Sequence, residues 1–176
     1  SERISAMGTR IIAGLNADLG EPLFNRVTQQ DIPPTNETCL TIPELKNGLR
    51  RSGLIGRSLK NKVYDLGPLS GSSDFMTIDR SRRALNLYFN QIQSTNNSRW
   101  EKGRSGFVCN NTGIQAHFML LASLIQYMKK KEGLDPKNME PEDIICEIQD
   151  YLDPLLDFLS NAGDYAMNPF KVKYGS

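Results

Sequence analysis

The 176-residue chain is poor in the residues that build metal and redox sites. It has one histidine, His117, and three cysteines that lie far apart in the sequence and form no CxxC pair. A zinc site needs several histidine or cysteine ligands, and a disulfide framework needs paired cysteines in a short secreted chain. The sequence therefore argues against both kinds of site and suits a reducing cytoplasm. We predict no metal and no cofactor.

Long apolar runs are also missing. A membrane-spanning helix needs roughly 18 or more consecutive apolar residues, and none occurs here. No charged-then-apolar signal segment opens the chain. Apolar residues make up 39% and charged residues 23%, which is ordinary for a globular protein. We therefore expect a cytoplasmic protein with no membrane partner.

Sequence signatures of catalysis are absent as well. The stretch GLIGRSLKNK has glycines and lysines but not the spacing of a phosphate-binding loop, and no G-x-S-x-G elbow occurs. Cys109 and His117 are conceivable as a nucleophile pair, but no third group is marked to orient the imidazole. A lone histidine on a helix is more often structural. The chain carries no catalytic constellation, and whether the whole protein is an enzyme stays open.

What is present is helical patterning. Apolar residues at spacings of three and four, together with start and stop signals, predict helices over 2–17, 41–52, 74–93, 113–131 and 141–152. Thr41 and the pair Asn111-Thr112 are the expected caps, and Gly53 and Gly133 the expected stops. Pro154 should break or kink the last helix, and one more short apolar turn follows it.

The remaining segments read as loops. A short strand is expected at 106–109, and 56–73 reads as a long loop rich in Gly, Ser and Lys. The tail after residue 160 also reads as a loop. The fold class is therefore mainly α: a single helical domain of five or six helices with at most a short β element. We divide it into a core of about 1–131 and an acidic helical extension of about 132–176.

The turn after the first helix contains an apolar pair among helix breakers. Asp18, Gly20 and Pro22 stop a helix, yet Leu23-Phe24 follows at once. The pair either pins the turn to the core or meets a partner, and we favour the core. Arg26, just beyond, is expected to fix this turn rather than to act in function.

Charge is divided unevenly along the chain. The net charge is +1, but 132–164 holds ten acidic residues and one basic residue, a net charge of −9. The rest carries +10. A basic body with an acidic C-terminal region permits nucleic-acid contact by the body, or an acidic lid folded over a basic face. Charges sorted by chance on a solvated surface would look the same.

Two regions hold most of the basic residues, one within 46–62 and the other within 80–104. Arginine and lysine clusters of this kind neutralise phosphates, although on surface helices they also simply aid solubility. No known DNA-reading motif accompanies them. The candidate nucleic-acid contacts are Arg50, Arg51, Arg57, Lys60, Arg82, Arg83 and Arg104.

The order of the segments resembles a known family. RIIAGLNADLGEPLFNRV is similar to a helix, an acidic turn and a Pro-Leu-aromatic stretch in the C-terminal half of DGQHR-domain proteins. TIPELKNGLRRSGLIG, LNLYFNQIQSTNNSRW and GFVCNNTGIQAHFMLLASLI resemble the segments that follow it there. The resemblance covers about residues 4–124, and its support comes from the order of loose patterns.

The resemblance implies a role in DNA modification, in its transcriptional control or in genome defence. The family includes the regulator of DNA phosphorothioation operons. The Asp-Gly-Gln-His-Arg motif that names it is nowhere in this chain, so none of its residues is carried over. We expect the chain to be the helical half of a larger α/β protein, with that motif upstream.

Three functions are therefore open. The leading hypothesis is a non-catalytic helical module of a DGQHR-like protein that serves DNA binding or protein assembly. One alternative is part of an enzyme whose catalytic residues lie in the N-terminal half. The other is a scaffold that contacts that half or other proteins of a DNA-modification locus. A free basic face favours the first, a concave polar pocket the second, and an exposed apolar patch the third.

Overall fold

The computed structural model describes residues 2–58 and 64–161. Within them the chain forms seven α-helices, two short 3-10 turns and one pair of two-residue strands. The helices are α1 Glu2–Ala17, α2 Ile42–Ser52, α3 Asp74–Thr95, α4 Asn97–Trp100, α5 Asn111–Glu132, α6 Pro141–Glu147 and α7 Gln149–Asn161. The mainly α class is confirmed. The tail after residue 161 lies outside the described residues.

One hydrophobic core runs through all the longer helices. α2 packs along α5, α1 packs on both α2 and α3, and α6 and α7 pack on α3. Phe89 on α3 joins the long helices, because its ring meets Phe118 of α5 edge to face at 5.9 Å and lies 6.1 Å from Trp100. These aromatic side chains are fully buried. Ile144, Ile148 and Leu152 of the acidic extension belong to the same core.

The predicted turn after α1 is pinned to this core. Leu23 is 1% exposed and Phe24 is half-buried, so the apolar pair faces inward as expected. The Asn16 side chain accepts a hydrogen bond from the Val27 amide at 2.8 Å, and Val27 forms an isolated parallel bridge with Leu40. The segment between α1 and α2 is therefore held at both of its ends.

The prediction of a strand at 106–109 is wrong. These residues form consecutive bends that wrap around the start of α5. Gly113 lies so close to them that an added Cβ would be 2.2 Å from the carbonyl oxygens of Phe107 and Val108. The only strands in the described residues are β1, Arg57–Ser58, and β2, Tyr64–Asp65, which pair antiparallel inside the stretch expected to be a loop. The apolar residues at 106–109 suggested a strand. A strand also needs a partner to pair with, and the local sequence does not reveal whether one is present.

The expected break at Pro154 is also misplaced. The helix that begins at Pro141 ends at Glu147. Ile148 is its C-cap, with an amide that bonds back to the Ile144 carbonyl, and α7 then runs through Pro154. Pro154 is the sixth residue of α7, so it cannot bond the Asp150 carbonyl and its ring crowds it, yet the helix runs on to Asn161. Among the described residues, no helix has both the length and the apolar character to cross a membrane.

Candidate nucleic-acid interface

Arg50, Arg51 and Arg57 gather around the C-terminal end of α2. Arg50 and Arg51 lie in its last turn, and Gly53 ends the helix in the left-handed conformation with φ of 72°. An added Cβ on Gly53 would be 2.5 Å from Nε of Arg57, so the Arg57 side chain lies over the helix end. All three side chains are exposed. We call them the α2-end cluster.

The α2-end cluster has no carboxylate in ion-pair contact among the described residues. Arg50 donates to the Asn47 side-chain oxygen at 2.9 Å, which is a neutral acceptor. Arg50 lines an open groove between α1 and α2, and Arg51 lines another of about 360 Å³ between α2 and α5. The cluster therefore presents positive charge on both sides of α2.

A helix end explains part of this arrangement without any ligand. The last carbonyls of α2 carry partial negative charge, and cations near them stabilise a helix by about 0.3–1 kcal/mol at low ionic strength. Arg50 and Arg51 are placed for that role. The helix end does not require Arg57, which comes from the following β1.

Arg82 is engaged within the protein. Its guanidinium pairs with Asp18 at the end of α1, and Asn86 donates to the same carboxylate at 2.9 Å. Burial opposes ionisation of Asp18, but these two partners outweigh it and lower its pKa. The hydrogen bond to Asp18 in turn raises the pKa of Arg82. This pair fixes the turn after α1 onto α3.

Arg83 is engaged in the same way by the acidic extension. Its guanidinium contacts Glu142 at 2.5 Å, Glu140 at 3.0 Å and Asp79 at 3.4 Å. The hydrogen bond to Glu142 raises the pKa of Arg83, and the same contact lowers the pKa of Glu142. Here the acidic extension folds against a basic residue of the body. Nucleic acid would have to displace three carboxylates to reach Arg83.

The remaining candidates are separate from these groups. Arg104, on the 3-10 turn Gly103–Ser105, donates to the Pro34 carbonyl oxygen at 3.1 Å and stays exposed. Lys60 lies outside the described residues. The structure thus brings Arg50, Arg51 and Arg57 together and places Arg82 and Arg83 in ion pairs on the α3 face. That any of these residues contacts DNA stays a prediction.

His117 lies in the core, and within the described part of the chain no hydrogen bond joins it to Cys109. Its Nδ1 is 2.9 Å from the Tyr88 hydroxyl, and both side chains are buried. Burial lowers the pKa of His117 to about 4 and raises that of Tyr88. No cluster of three or more His, Cys, Asp or Glu side chains suited to a metal ion occurs in the described part of the chain.

Sequence reasoning missed one contact between distant residues. Cys39 and Cys109 approach each other in the core, and Arg26 lies beside them and pairs with Glu101. No spacing rule links positions so far apart, so the sequence held no signal for this contact. Arg26 does fix its turn, as expected, because its guanidinium reaches the segment after α4.

No protein-family profile, curated protein or solved structure matches this chain.

Proposed function

We propose that this chain is a non-catalytic helical module that contacts duplex DNA in a DNA-modification or genome-defence system, or in its transcriptional control. We place this role in the cytoplasm. Two arguments support it: the ordered resemblance to the helical half of DGQHR-domain proteins, and a group of exposed arginines at one helix end. The DNA partner is recognised by its phosphates, because no groove-reading motif occurs in the sequence.

The α2-end cluster is the observation that carries the proposal. The chain has nearly equal numbers of acidic and basic residues, 20 and 21, and several arginines outside the cluster, such as Arg3 and Arg26, are paired with acids. Arg82 and Arg83 have carboxylate partners, whereas Arg51 and Arg57 have none among the described residues. Asp65 lies opposite Arg57 in the β1–β2 pair but makes no ion pair with it. Arginines outside ion pairs bind phosphate at the lowest cost, since no internal ion pair must be broken first.

Contact with phosphates alone predicts a particular kind of binding. Each neutralised phosphate releases condensed counterions, so the logarithm of affinity falls with the logarithm of salt by a slope of about 0.9 per contact. We therefore expect duplex binding that is weakly dependent on sequence and strongly dependent on salt.

The test measures duplex-DNA binding by fluorescence anisotropy across a salt series. R51A/R57A should weaken binding and reduce the salt slope by about 2, because two phosphate contacts are lost. R10A/K102A removes the same charge from exposed positions on α1 and after α4, and should keep the wild-type slope. Circular dichroism confirms the fold of each variant.

Two results would contradict the proposal. If the wild-type chain shows no salt-dependent binding, this module does not contact DNA. Equal weakening by R51A/R57A and R10A/K102A would mean that binding follows net charge and that the α2-end cluster is no site.

A further inference from the structure

Two of the three cysteines meet inside the core. The Sγ atoms of Cys39 and Cys109 are 3.6 Å apart, although the residues are separated by 70 positions. Cys39 is 2% exposed and Cys109 is 0% exposed, and both are free thiols. Cys146 is also free but lies on the surface.

Both cysteines stand on connecting segments. Cys39 precedes Leu40, which bridges to Val27, and Cys109 precedes Asn110, the cap of α5. A disulfide has an S–S distance of about 2.05 Å, so the two sulfurs must approach by roughly 1.5 Å. Neither cysteine lies within a helix, so the approach calls on side-chain rotation and on the connecting segments.

The surroundings make the two thiols unequal. The hydrogen bond from Cys109 lowers the pKa of Cys39 against the effect of burial, and the Arg26 charge lowers it further. The same contact and burial raise the pKa of Cys109. Arg26 is suited to this role because its side chain is only 12% exposed, where its charge is poorly screened. Thiolate, not thiol, is the nucleophile in oxidation and exchange.

We propose that Cys39 and Cys109 form a reversible oxidation site, at which a peroxide converts the two thiols into an intramolecular disulfide. The Cys39 thiolate attacks the peroxide, its O–O bond breaks, and Cys39 sulfenic acid and hydroxide form. The Cys109 sulfur then attacks the sulfenic sulfur, the S–S bond forms and the S–O bond breaks. The leaving hydroxide and the thiol proton make water. With hydrogen peroxide, the first hydroxide takes the proton that Cys39 lost as its thiolate formed. In sum, two thiols are oxidised to one disulfide and one hydrogen peroxide is reduced to two waters.

A cavity open to solvent adjoins the Arg26 side of the pair. An open cavity of about 630 Å³ is lined by Arg26, Glu101 and Thr38, the residue before Cys39. Neither cysteine lines this cavity, so an oxidant reaches the sulfurs from it only when the segments around them open. Larger thiol oxidants are disfavoured because the sulfurs themselves are covered.

The disulfide would join the segment before α2 to the segment before α5. These helices pack along each other, so the bond would restrain a contact that the fold already makes. Closing a long loop stabilises mainly by restricting the unfolded chain. The site is separate from the α2-end cluster, so failure of either proposal leaves the other standing.

The experiment treats the purified full chain with hydrogen peroxide in the C146S background, which removes the exposed thiol. Excess peroxide is quenched, and remaining thiols are alkylated in denaturant. Peptide mapping should show a Cys39–Cys109 link and an intact-mass loss of about 2 Da for two hydrogens. The melting temperature should rise by about 5–10 °C for a loop of this length and size of protein, and dithiothreitol should reverse it.

Full alkylation of both Cys39 and Cys109 after peroxide would overturn the proposal, as would oxidation of either one to sulfinic acid without a link. This result needs no substitution in the core, so it does not depend on variant folding. C39S and C109S, where folded by circular dichroism, should each give no link.

The role of Arg26 is tested in the same assay by rate. R26Q should slow disulfide formation by about threefold or more at neutral pH, because less Cys39 is thiolate. R104Q, on a nearby turn, should leave the rate unchanged. If R26Q and the C146S parent form the disulfide at equal rates, Arg26 has no role in the site.

Discussion

At the scale of single residues, burial decides what the titratable side chains do. His117 is the only histidine, and α5 carries it into the core between Tyr88 and Phe89. A buried imidazole with a neutral hydroxyl partner is held uncharged, because burial removes the hydration that the charged form needs. His117 is therefore a structural group that holds α3 to α5.

This burial predicts how stability depends on pH. The ordinary pKa of 6.5 applies in the unfolded chain, whereas the folded chain takes up the proton only near pH 4. Between these values the unfolded state binds more protons, so the free energy of unfolding falls as pH drops. We expect a loss of roughly 2 kcal/mol between pH 7 and pH 5, measured by urea unfolding at each pH.

H117Q provides the matched control for that loss. Glutamine does not titrate, so its free energy of unfolding should change little between pH 7 and pH 5, whatever its value at pH 7. The carboxylates with lowered pKa, such as Asp18 and Glu142, stay ionised over this range. An equal loss in wild type and H117Q would mean that His117 is not held neutral.

At the scale of elements, the sequence located the helices better than it located their caps. Thr41 has the extended backbone of a cap, but its side chain makes no capping bond and instead accepts from Asn111 at 3.3 Å. Asn110, not Asn111 or Thr112, caps α5, since its oxygen accepts from the Gly113 amide at 2.8 Å. Several polar residues in a row all suit a cap, and only the backbone path selects one.

Two neighbouring substitutions distinguish these caps. N110A should lower the free energy of unfolding by about 1–2 kcal/mol, because it leaves the Gly113 amide without its acceptor. It also removes the Asn110 donor to the Gly106 carbonyl at 2.9 Å. T112A, at an exposed position, should change it by less than about 0.5 kcal/mol. Denaturant unfolding measures the free energy of unfolding of both variants. A larger loss for T112A than for N110A would mean that α5 is capped at the Asn111-Thr112 pair that the sequence predicted.

At the scale of the whole molecule, the acidic extension is part of the fold. The division into a core of about 1–131 and an extension of about 132–176 follows charge, but α6 and α7 bury Ile144, Ile148 and Leu152 against the body. The described part of the extension supplies core side chains as well as charge. Part of its negative charge is also used within the protein, because Glu140 and Glu142 form ion pairs with Arg83 of the body.

Shared packing predicts cooperative unfolding. Ile148 is 0% exposed. I148A should lower the free energy of unfolding by about 2–5 kcal/mol, because the surrounding side chains fill only part of the cavity that it leaves. Trp100 is the only tryptophan and lies buried in the body. Its fluorescence transition and the helical circular dichroism should therefore shift together to lower denaturant.

F158A on α7 serves as the control, because Phe158 is 46% exposed; it should cost under about 1 kcal/mol. If I148A shifted the circular dichroism transition but left that of Trp100 unchanged, the extension would unfold as a separate unit.

The sequence by itself determined the class and order of the helices and the inward position of Leu23. Periodic apolar spacing and glycine stops act between residues close in the chain, so they are readable without a fold. Gly53 and Gly133, for example, end α2 and α5 where expected.

Only the tertiary structure decided which charges are matched and which side chains meet. Arg82 and Arg57 look alike in sequence, yet Asp18 neutralises Arg82, whereas Arg57 faces solvent at a helix end. The Cys39–Cys109 contact and the His117–Tyr88 bond join residues 70 and 29 positions apart. Such contacts depend on how the helices pack, and no local pattern specifies packing between distant segments.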